Sequence, residues 1–163
     1  MDDIILAGTS LEVFDELKAA LHKAFCNKNL GQLKFFLGLE VARTSKGISL
    51  SQRKYYLELL EDVDLTSCKP ASTPLDPSTR LYQDGGSPYP GITAYRRLVG
   101  RLLYLTTTRP DISFATQQLK QFMSSPTETH YKDALRVLGY IKRSPSRGLF
   151  FPPISRFTNL WLQ

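Results

Sequence analysis

Two adjacent aspartates, Asp2 and Asp3, stand near the start of the chain and are followed by the apolar run Ile4–Ala7 and by Gly8. Carboxylates ahead of a short apolar run are typical of a turn that leads into a buried β-strand. Successive side chains on an extended strand point to opposite faces, so at most one of the two carboxylates faces a given cleft. Carboxylates at a turn can bind Mg²⁺, a hard cation that takes carboxylate, water and phosphate oxygens. Taken alone, such a pair is more often a solvated chain start.

The cysteines and histidines, which also commonly bind metals, indicate no second metal site. Cys26 and Cys68 lack the spacing of a metal site or of a disulfide framework, which predicts two reduced thiols in an intracellular protein of the cytoplasm or nucleus. His22 and His130 are also single, and ordinary surface or boundary positions are expected for both. The sequence has no apolar run of about 18 residues and no basic leader, so neither a membrane span nor a signal peptide is expected. No small-molecule cofactor is expected either.

The net charge of +6 is distributed unevenly along the 163 residues. Residues 1–92 hold 10 Lys and Arg against 12 Asp and Glu, whereas residues 93–147 hold 10 against 3. Such an excess of positive charge in one half favours contact between that half and a polyanion. A solvated helical surface is the alternative.

Hydrophobic periodicity predicts a strand over Ile4–Ala7 and then an amphipathic helix of about four turns. Thr9 and Glu12 have the spacing of a capping box at the start of this helix. The apolar side chains of the helix recur every three or four positions, at Leu11, Phe14, Leu17, Leu21 and Phe25.

The stretch Leu33–Thr44 is rich in apolar residues and predicts one strand with Gly38 in its interior. A glycine inside a strand often marks a bulge or the close approach of another backbone. A turn over residues 44–47 and a returning strand over residues 48–51 complete a hairpin. A second helix is predicted over Gln52–Val63.

Residues 64–92 contain five prolines and three glycines, a composition that excludes regular structure over most of the stretch and indicates a connector between two modules. Three helices with single apolar stripes follow, which predicts a small helical bundle. Their expected ranges are about 93–107, Pro110 to Met123, and from Pro126 onward. Gly148–Phe151 is strand-like and is stopped by two prolines.

The first helix of this bundle has a distinctive polar face. At 100° per residue, one arc carries Arg96, Arg97, Gly100, Arg101 and Tyr104. A mid-helix glycine costs about 1 kcal/mol on a solvated face, but it lets the helix backbone approach a sugar-phosphate surface closely. Arginines neutralise phosphates, and a tyrosine can lie against a ribose or a base edge. The pattern alone leaves nucleic-acid contact and a plain surface equally open. The opposite arc is apolar, with Tyr95, Leu98, Val99, Leu102, Leu103 and Leu105.

Six motifs occur in a fixed order: MDDIILAG, FFLGLEV, GISLSQRKYYLELL, CKPASTPLD, YRRLVGRLLYLTTTRPDISFA and YIKRSPSRGLFF. Together they resemble the reverse transcriptase of copia-type LTR retrotransposons, which are abundant in plants, and the resemblance covers about residues 2–151, most of the chain. The resemblance implies an α+β fold, a partial reverse-transcriptase palm (strand, helix, β-hairpin, helix) followed by a thumb-like three-helix bundle. In these terms residues 1–63 are palm, 64–92 connector, 93–147 thumb and 148–163 a truncated tail.

The resemblance also implies roles for single residues. Asp2 and Asp3 match the acids of the family's Tyr-x-Asp-Asp turn, where three aspartates hold two Mg²⁺ ions for nucleotide addition. Residues Phe36, Leu37 and Gly38 match the primer grip. The helix with Arg96, Gly100 and Tyr104 matches the one that follows the minor groove of an RNA–DNA or DNA template–primer duplex, with Arg97 and Arg101 beside them.

The sequence also departs from the family pattern. The tyrosine of the Tyr-x-Asp-Asp turn, the fingers, the first half of the palm and the third aspartate are not found in it, and residues 152–163 do not follow the family's continuation. Three hypotheses follow: a reverse-transcriptase segment that needs the missing half in trans, a non-catalytic module that binds nucleic acid, and an inactive retroelement remnant. We expect a reverse-transcriptase fragment that is inactive alone.

Overall fold

The computed structural model of the protein describes residues 4–6, 8, 10–26, 28–76, 81 and 86–153. Within these ranges it has five α-helices, one 3₁₀ turn and a four-stranded antiparallel sheet, an α+β fold as predicted. The elements in chain order are α1 (Leu11–Phe25), β1 (Phe35–Phe36), β2 (Leu39–Thr44), β3 (Gly47–Ser51), α2 (Arg53–Asp62), α3 (Ile92–Leu105), the 3₁₀ turn Pro110–Ile112, α4 (Ser113–Lys120), α5 (Glu128–Lys142) and β4 (Leu149–Phe151).

The opening strand predicted over Ile4–Ala7 is wrong for the residues described there. Ile4, Ile5 and Leu6 belong to no strand, and Ile4 is 60% exposed. The reason is that no other described segment pairs with them, and an extended segment needs a neighbour to supply the ladder hydrogen bonds of a sheet. Ala7 lies outside the described residues.

Helix α1 forms as its periodicity predicts, but its cap and its apolar stripe differ from expectation. The N-cap is Ser10, whose side chain accepts a hydrogen bond from the amide of Val13. Thr9, predicted as the cap, lies outside the described residues. No residue of α1 is buried, and Leu11 and Phe25 are 82% and 73% exposed. The apolar stripe is therefore not covered by the described part of the chain.

The segment Leu33–Thr44 is not one strand but a strand, a tight turn and a second strand. The register pairs Phe36 with Leu39, which leaves Leu37 and Gly38 as a two-residue turn. Both turn residues have positive φ, 45° and 76°, as a type I′ hairpin turn requires. Glycine adopts this conformation without steric cost, which explains the glycine inside the apolar run.

The hairpin predicted over β2 and β3 is confirmed, with Thr44 paired to Gly47 across the turn. The strand-like segment after Gly148 is also confirmed: β4 pairs with β3, and Leu149 lies opposite Leu50. The sheet order is therefore β1-β2-β3-β4.

The hydrophobic core lies between α2 and the three later helices. The hydroxyl of Tyr56 on α2 donates to the carbonyl oxygen of Leu138 on α5 at 3.0 Å, which joins the two halves of the sequence. In the described ranges, no helix is both long and apolar enough to cross a membrane. The core side chains are Tyr56, Leu59, Leu60, Tyr95, Leu98, Val99, Leu102, Leu105, Ile112, Ala115, Leu119, Ala134, Val137, Leu138 and Ile141.

The helix starts of the bundle differ in detail from the prediction. Pro110 begins a 3₁₀ turn, and α4 then ends at Lys120, short of the predicted Met123. Pro126 does not open α5: the N-cap is Thr127, whose hydroxyl accepts from the amide of His130 while its own amide donates to the His130 ring. His130 is thus a buried cap residue, 1% exposed, and not the surface or boundary residue predicted.

Candidate nucleic-acid interface

Helix α3 separates its side chains into a buried face and a polar face, as its periodicity predicts. The side chains of Tyr95, Leu98 and Val99 are at most 2% exposed. On the other side Arg96, Arg97 and Gly100 are exposed. Burial of the apolar arc fixes the rotation of the helix about its axis, and so fixes which residues face outward. We call Arg96, Arg97, Gly100, Arg101 and Tyr104 the α3 polar face.

Gly100 leaves the middle of the α3 polar face bare. A Cβ built on Gly100 would meet no described atom within 4 Å, and its backbone φ is not in the left-handed region. Neither close packing in the protein nor backbone geometry therefore requires a glycine. The helix backbone at this position is open to close approach from outside.

The Leu37–Gly38 turn meets the C-terminal end of the α3 polar face. The hydroxyl of Tyr104 donates a hydrogen bond to the carbonyl oxygen of Leu37. A Cβ on Gly38 would lie 2.8 Å from that same hydroxyl oxygen, closer than any real Cβ contact. The structure therefore brings three of the predicted site residues together, and Phe36 lies half-buried at the start of the turn.

Two residues of α2 that the sequence reasoning missed lie beside this contact. The ring of Tyr55 packs edge-on against Tyr104, with 5.0 Å between ring centroids. The Arg101 guanidinium lies 5.2 Å from the centre of the Tyr55 ring and forms an ion pair with Asp62. Tyr55 lies within the motif GISLSQRKYYLELL and Asp62 just after it, but nothing in the sequence pattern separates either residue from other polar positions on an amphipathic helix.

The electrostatics of Arg101 follow from these neighbours. Burial lowers the pKa of the guanidinium, but hydrogen bonds to Asp62 and Tyr55 and the charge of Asp62 outweigh it and raise the pKa above its ordinary value. Arg101 is therefore a fixed cation that is already paired. Arg96 is less engaged: its Nε donates to the carbonyl oxygen of Met123 at 2.7 Å, and the residue stays exposed.

The ion pair between Arg109 and Asp111, in the turn after α3, has a structural role. Arg109 is 3% exposed and donates two hydrogen bonds, of 2.9 and 2.8 Å, to the carboxylate of Asp111. The Tyr140 hydroxyl donates to the same carboxylate, and Arg109 also donates to the carbonyl oxygen of Ser144. The hydrogen bonds from Arg109 hold the pKa of Asp111 below its usual range. The two charges of this pair neutralise each other. The hydrogen bonds with Tyr140 and Ser144 hold α5 and its C-terminal end against the turn after α3.

Comparisons with known proteins agree with the motifs. The family described as "Reverse transcriptase (RNA-dependent DNA polymerase)" matches residues 1–77. The Pol polyprotein of transposon RE2 from Arabidopsis thaliana is 39% identical over 92% of this chain and 10% of its own length. The Pol polyprotein of transposon TNT 1-94 from Nicotiana tabacum is 30% identical over 93% of this chain and 12% of its own length.

Over nine tenths of its length this chain is similar to copia-type reverse-transcriptase polyproteins. It corresponds to a segment of copia-type Pol polyproteins and spans about a tenth of the length of the first relatives it matches. An uncharacterized mitochondrial protein of Arabidopsis thaliana is 38% identical over 92% of this chain and 62% of its own length. No solved structure matches the chain.

Reverse transcriptases generally use divalent metal ions, which in proteins are bound by clusters of side-chain ligands. Between residues 4 and 153, as far as they are described, no three His, Cys, Asp or Glu side chains come together in a way that could hold a metal. The predicted ligands Asp2 and Asp3 lie outside the described residues. The assignment of Mg²⁺ to this reverse-transcriptase segment therefore stays a prediction.

Proposed function

We propose that the α3 polar face and the Leu37–Gly38 turn form one surface that binds the template–primer duplex of a reverse transcriptase. The observation that carries the proposal is the hydrogen bond from Tyr104 to the carbonyl oxygen of Leu37. It connects two segments that the resemblance assigns separately to the primer grip and to the minor-groove helix. These segments are 67 residues apart in the sequence.

The chemistry of the surface suits a duplex backbone. Arg96 and Arg97 are exposed cations one turn away from the bare backbone at Gly100. Cations that neutralise phosphates supply most of the sequence-independent affinity for nucleic acid. A helix without a side chain at its centre can approach a groove more closely than one with a full face. The surface therefore supports weak, sequence-independent binding of an RNA–DNA or DNA duplex.

In this proposal residues 1–63, which include α1, the hairpins and α2, are palm-like, residues 64–92 are a connector, and α3 to α5 are thumb-like. Helix α2 packs into the same core as the thumb-like helices, so it holds the hairpin turn against α3. The residues 148–151 that the sequence assigned to the tail add β4 to the palm-like sheet.

Polymerisation is the second candidate, because the family match covers residues 1–77 and so includes both aspartates. Asp2 and Asp3 would hold Mg²⁺, which supplies stabilisation of the negative charge that develops during nucleotide transfer. The surface described above would hold the primer end. Primer extension by the purified chain, abolished by Asp2→Asn, would support this function, and no extension would leave duplex binding alone.

Duplex binding is tested by fluorescence anisotropy with a labelled RNA–DNA hybrid of about 20 base pairs at increasing salt. We expect the double variant Arg96→Gln, Arg97→Gln to bind at least about tenfold more weakly at low salt, with a salt slope smaller by about two, one for each lost phosphate contact.

Lys46→Gln is the matched control for charge. Lys46 is exposed in the turn at the other end of β2, about 20 Å along the strand from the Leu37–Gly38 turn. An equal loss of affinity per charge in Lys46→Gln and in the double variant would show that net charge alone acts and would refute the proposed surface.

A further inference from the structure

Arg101 differs from the other arginines of the α3 polar face in its surroundings. Its side chain is 20% exposed and its guanidinium is paired with Asp62, the last residue of α2. The Asp62 side chain is 58% exposed, so its carboxylate is open to solvent at the edge of the face. Asp62, Arg97 and Arg101 line one shallow groove between α2 and α3.

We infer that Asp62 competes with nucleic-acid phosphate for Arg101 and so limits the affinity of the α3 polar face for a duplex. The inference rests on the proposed duplex-binding function and assigns to it a residue of α2 that neither the motifs nor the family match singles out. A phosphate that enters the groove meets two cations, but one of them is already neutralised. It also meets the negative charge of Asp62 itself.

The position of Asp62 lets a phosphate displace it. Ion pairs with an exposed partner contribute little free energy because water screens them. The contact of the Arg101 guanidinium with the Tyr55 ring, 5.2 Å from the ring centre, does not depend on Asp62 and favours the present position of Arg101. Release of Asp62 would therefore leave Arg101 in place, facing the groove, and the exchange of a carboxylate for a phosphate needs no rearrangement of α3.

The test compares the whole 163-residue chain with its Asp62→Asn variant, again with a labelled RNA–DNA hybrid of about 20 base pairs. Asparagine keeps the shape of the side chain and removes its charge. We expect Asp62→Asn to bind the hybrid about three- to tenfold more tightly at low salt, with a salt slope steeper by about one, because one more phosphate contact forms.

Glu61→Gln is the matched control. Glu61 precedes Asp62 on α2 and is exposed, but it lines a different groove, with Lys142. Both variants raise the net charge by one. Equal affinities of Asp62→Asn and Glu61→Gln would overturn the inference, because the effect would then be that of net charge.

The same comparison in an Arg101→Gln background tests whether Asp62 acts through Arg101. We expect the gain from Asp62→Asn over Glu61→Gln to shrink there to the part that comes from direct repulsion by Asp62, and a gain of the same size would show that Asp62 does not act through Arg101. Asp62→Ser serves as a second variant, and far-UV circular dichroism checks that each variant folds. If the wild-type chain binds the hybrid at low salt but Asp62→Asn gains nothing over Glu61→Gln, the inference is refuted and the proposed function stands. If neither the wild-type chain nor any variant binds, both are refuted.

Discussion

Gly38 is required for two separate reasons, the conformation of its backbone and the space above it. Its φ is +76°, and a Cβ would lie 2.8 Å from the Tyr104 hydroxyl. Gly31 has nearly the same φ, +77°, and a Cβ there would meet nothing described within 4 Å. The two glycines therefore separate backbone strain from steric clash.

We expect Gly31→Ala to cost about 1–2 kcal/mol, the ordinary penalty for a left-handed alanine. Gly38→Ala should cost about 1 kcal/mol more, because the added methyl group would displace the Tyr104 hydroxyl and break its hydrogen bond to the carbonyl oxygen of Leu37. Urea unfolding measures both, and Tyr104→Phe, which removes the clashing oxygen, should recover part of the extra cost. Equal costs for the two alanines would mean that the turn does not contact α3.

Loss of Asp111 should destabilise the helical bundle strongly, because its carboxylate neutralises the buried Arg109. We expect Asp111→Ala to cost about 3 kcal/mol, because it leaves the Arg109 cation buried and unpaired. Asp15→Ala is the control: Asp15 pairs with Lys18 but is 78% exposed, so the cost should stay below about 1 kcal/mol. Denaturant unfolding at neutral pH compares the two, and similar costs would contradict the structural role of the Arg109–Asp111 ion pair.

The Asp111 contribution should also depend on pH. Its pKa is lowered in the fold by the hydrogen bonds from Arg109, so the folded protein favours the charged form. The contribution is therefore fully present above the unfolded pKa, near 3.8, and is lost as the pH falls through the lower folded value. The difference in unfolding free energy between wild type and Asp111→Ala should shrink below that pH. A difference that stays constant would contradict the assignment.

At the scale of elements, the sequence predicted helices better than strands. The stripes of α3 and α5 repeat every three or four residues over four turns, and this period is hard to mistake. The run Leu33–Thr44 hid a turn because its first turn residue, Leu37, is apolar and carries no turn signal, although its φ is 45°. Only the glycine after it marked the position, and a bulge would explain a glycine there as well.

Helix α1 should be less stable locally than α3. No residue of α1 is buried, whereas five residues of α3 are. Because local stability follows the burial of apolar side chains, hydrogen exchange of α1 amides should be at least about a hundredfold faster than that of α3 amides. Hydrogen-exchange mass spectrometry measures both helices in one sample. Equal protection would show that α1 packs against a surface that the described residues do not include.

For the molecule as a whole, the sequence predicted the family and the α+β class, but not the contacts that assemble the surface. The Arg101–Asp62 and Tyr104–Leu37 contacts join residues 39 and 67 positions apart. The spacing of residues along a sequence predicts which side chains are neighbours on one helix or strand. These contacts depend instead on how α2 and the Leu37–Gly38 turn pack against α3. The long motifs carried the family assignment because they reach across both halves of the chain.

The central claim is that the α3 polar face and the Leu37–Gly38 turn act as one duplex-binding surface. Nuclear magnetic resonance of the ¹⁵N-labelled chain, titrated with an unlabelled RNA–DNA hybrid at low salt, tests it most directly. We predict that the largest amide shift changes fall in both segments, at residues 37–38 and 96–104, and that the Ser45–Lys46 turn changes little. Changes confined to other parts of the chain, with α3 unaffected at saturation, would contradict the claim.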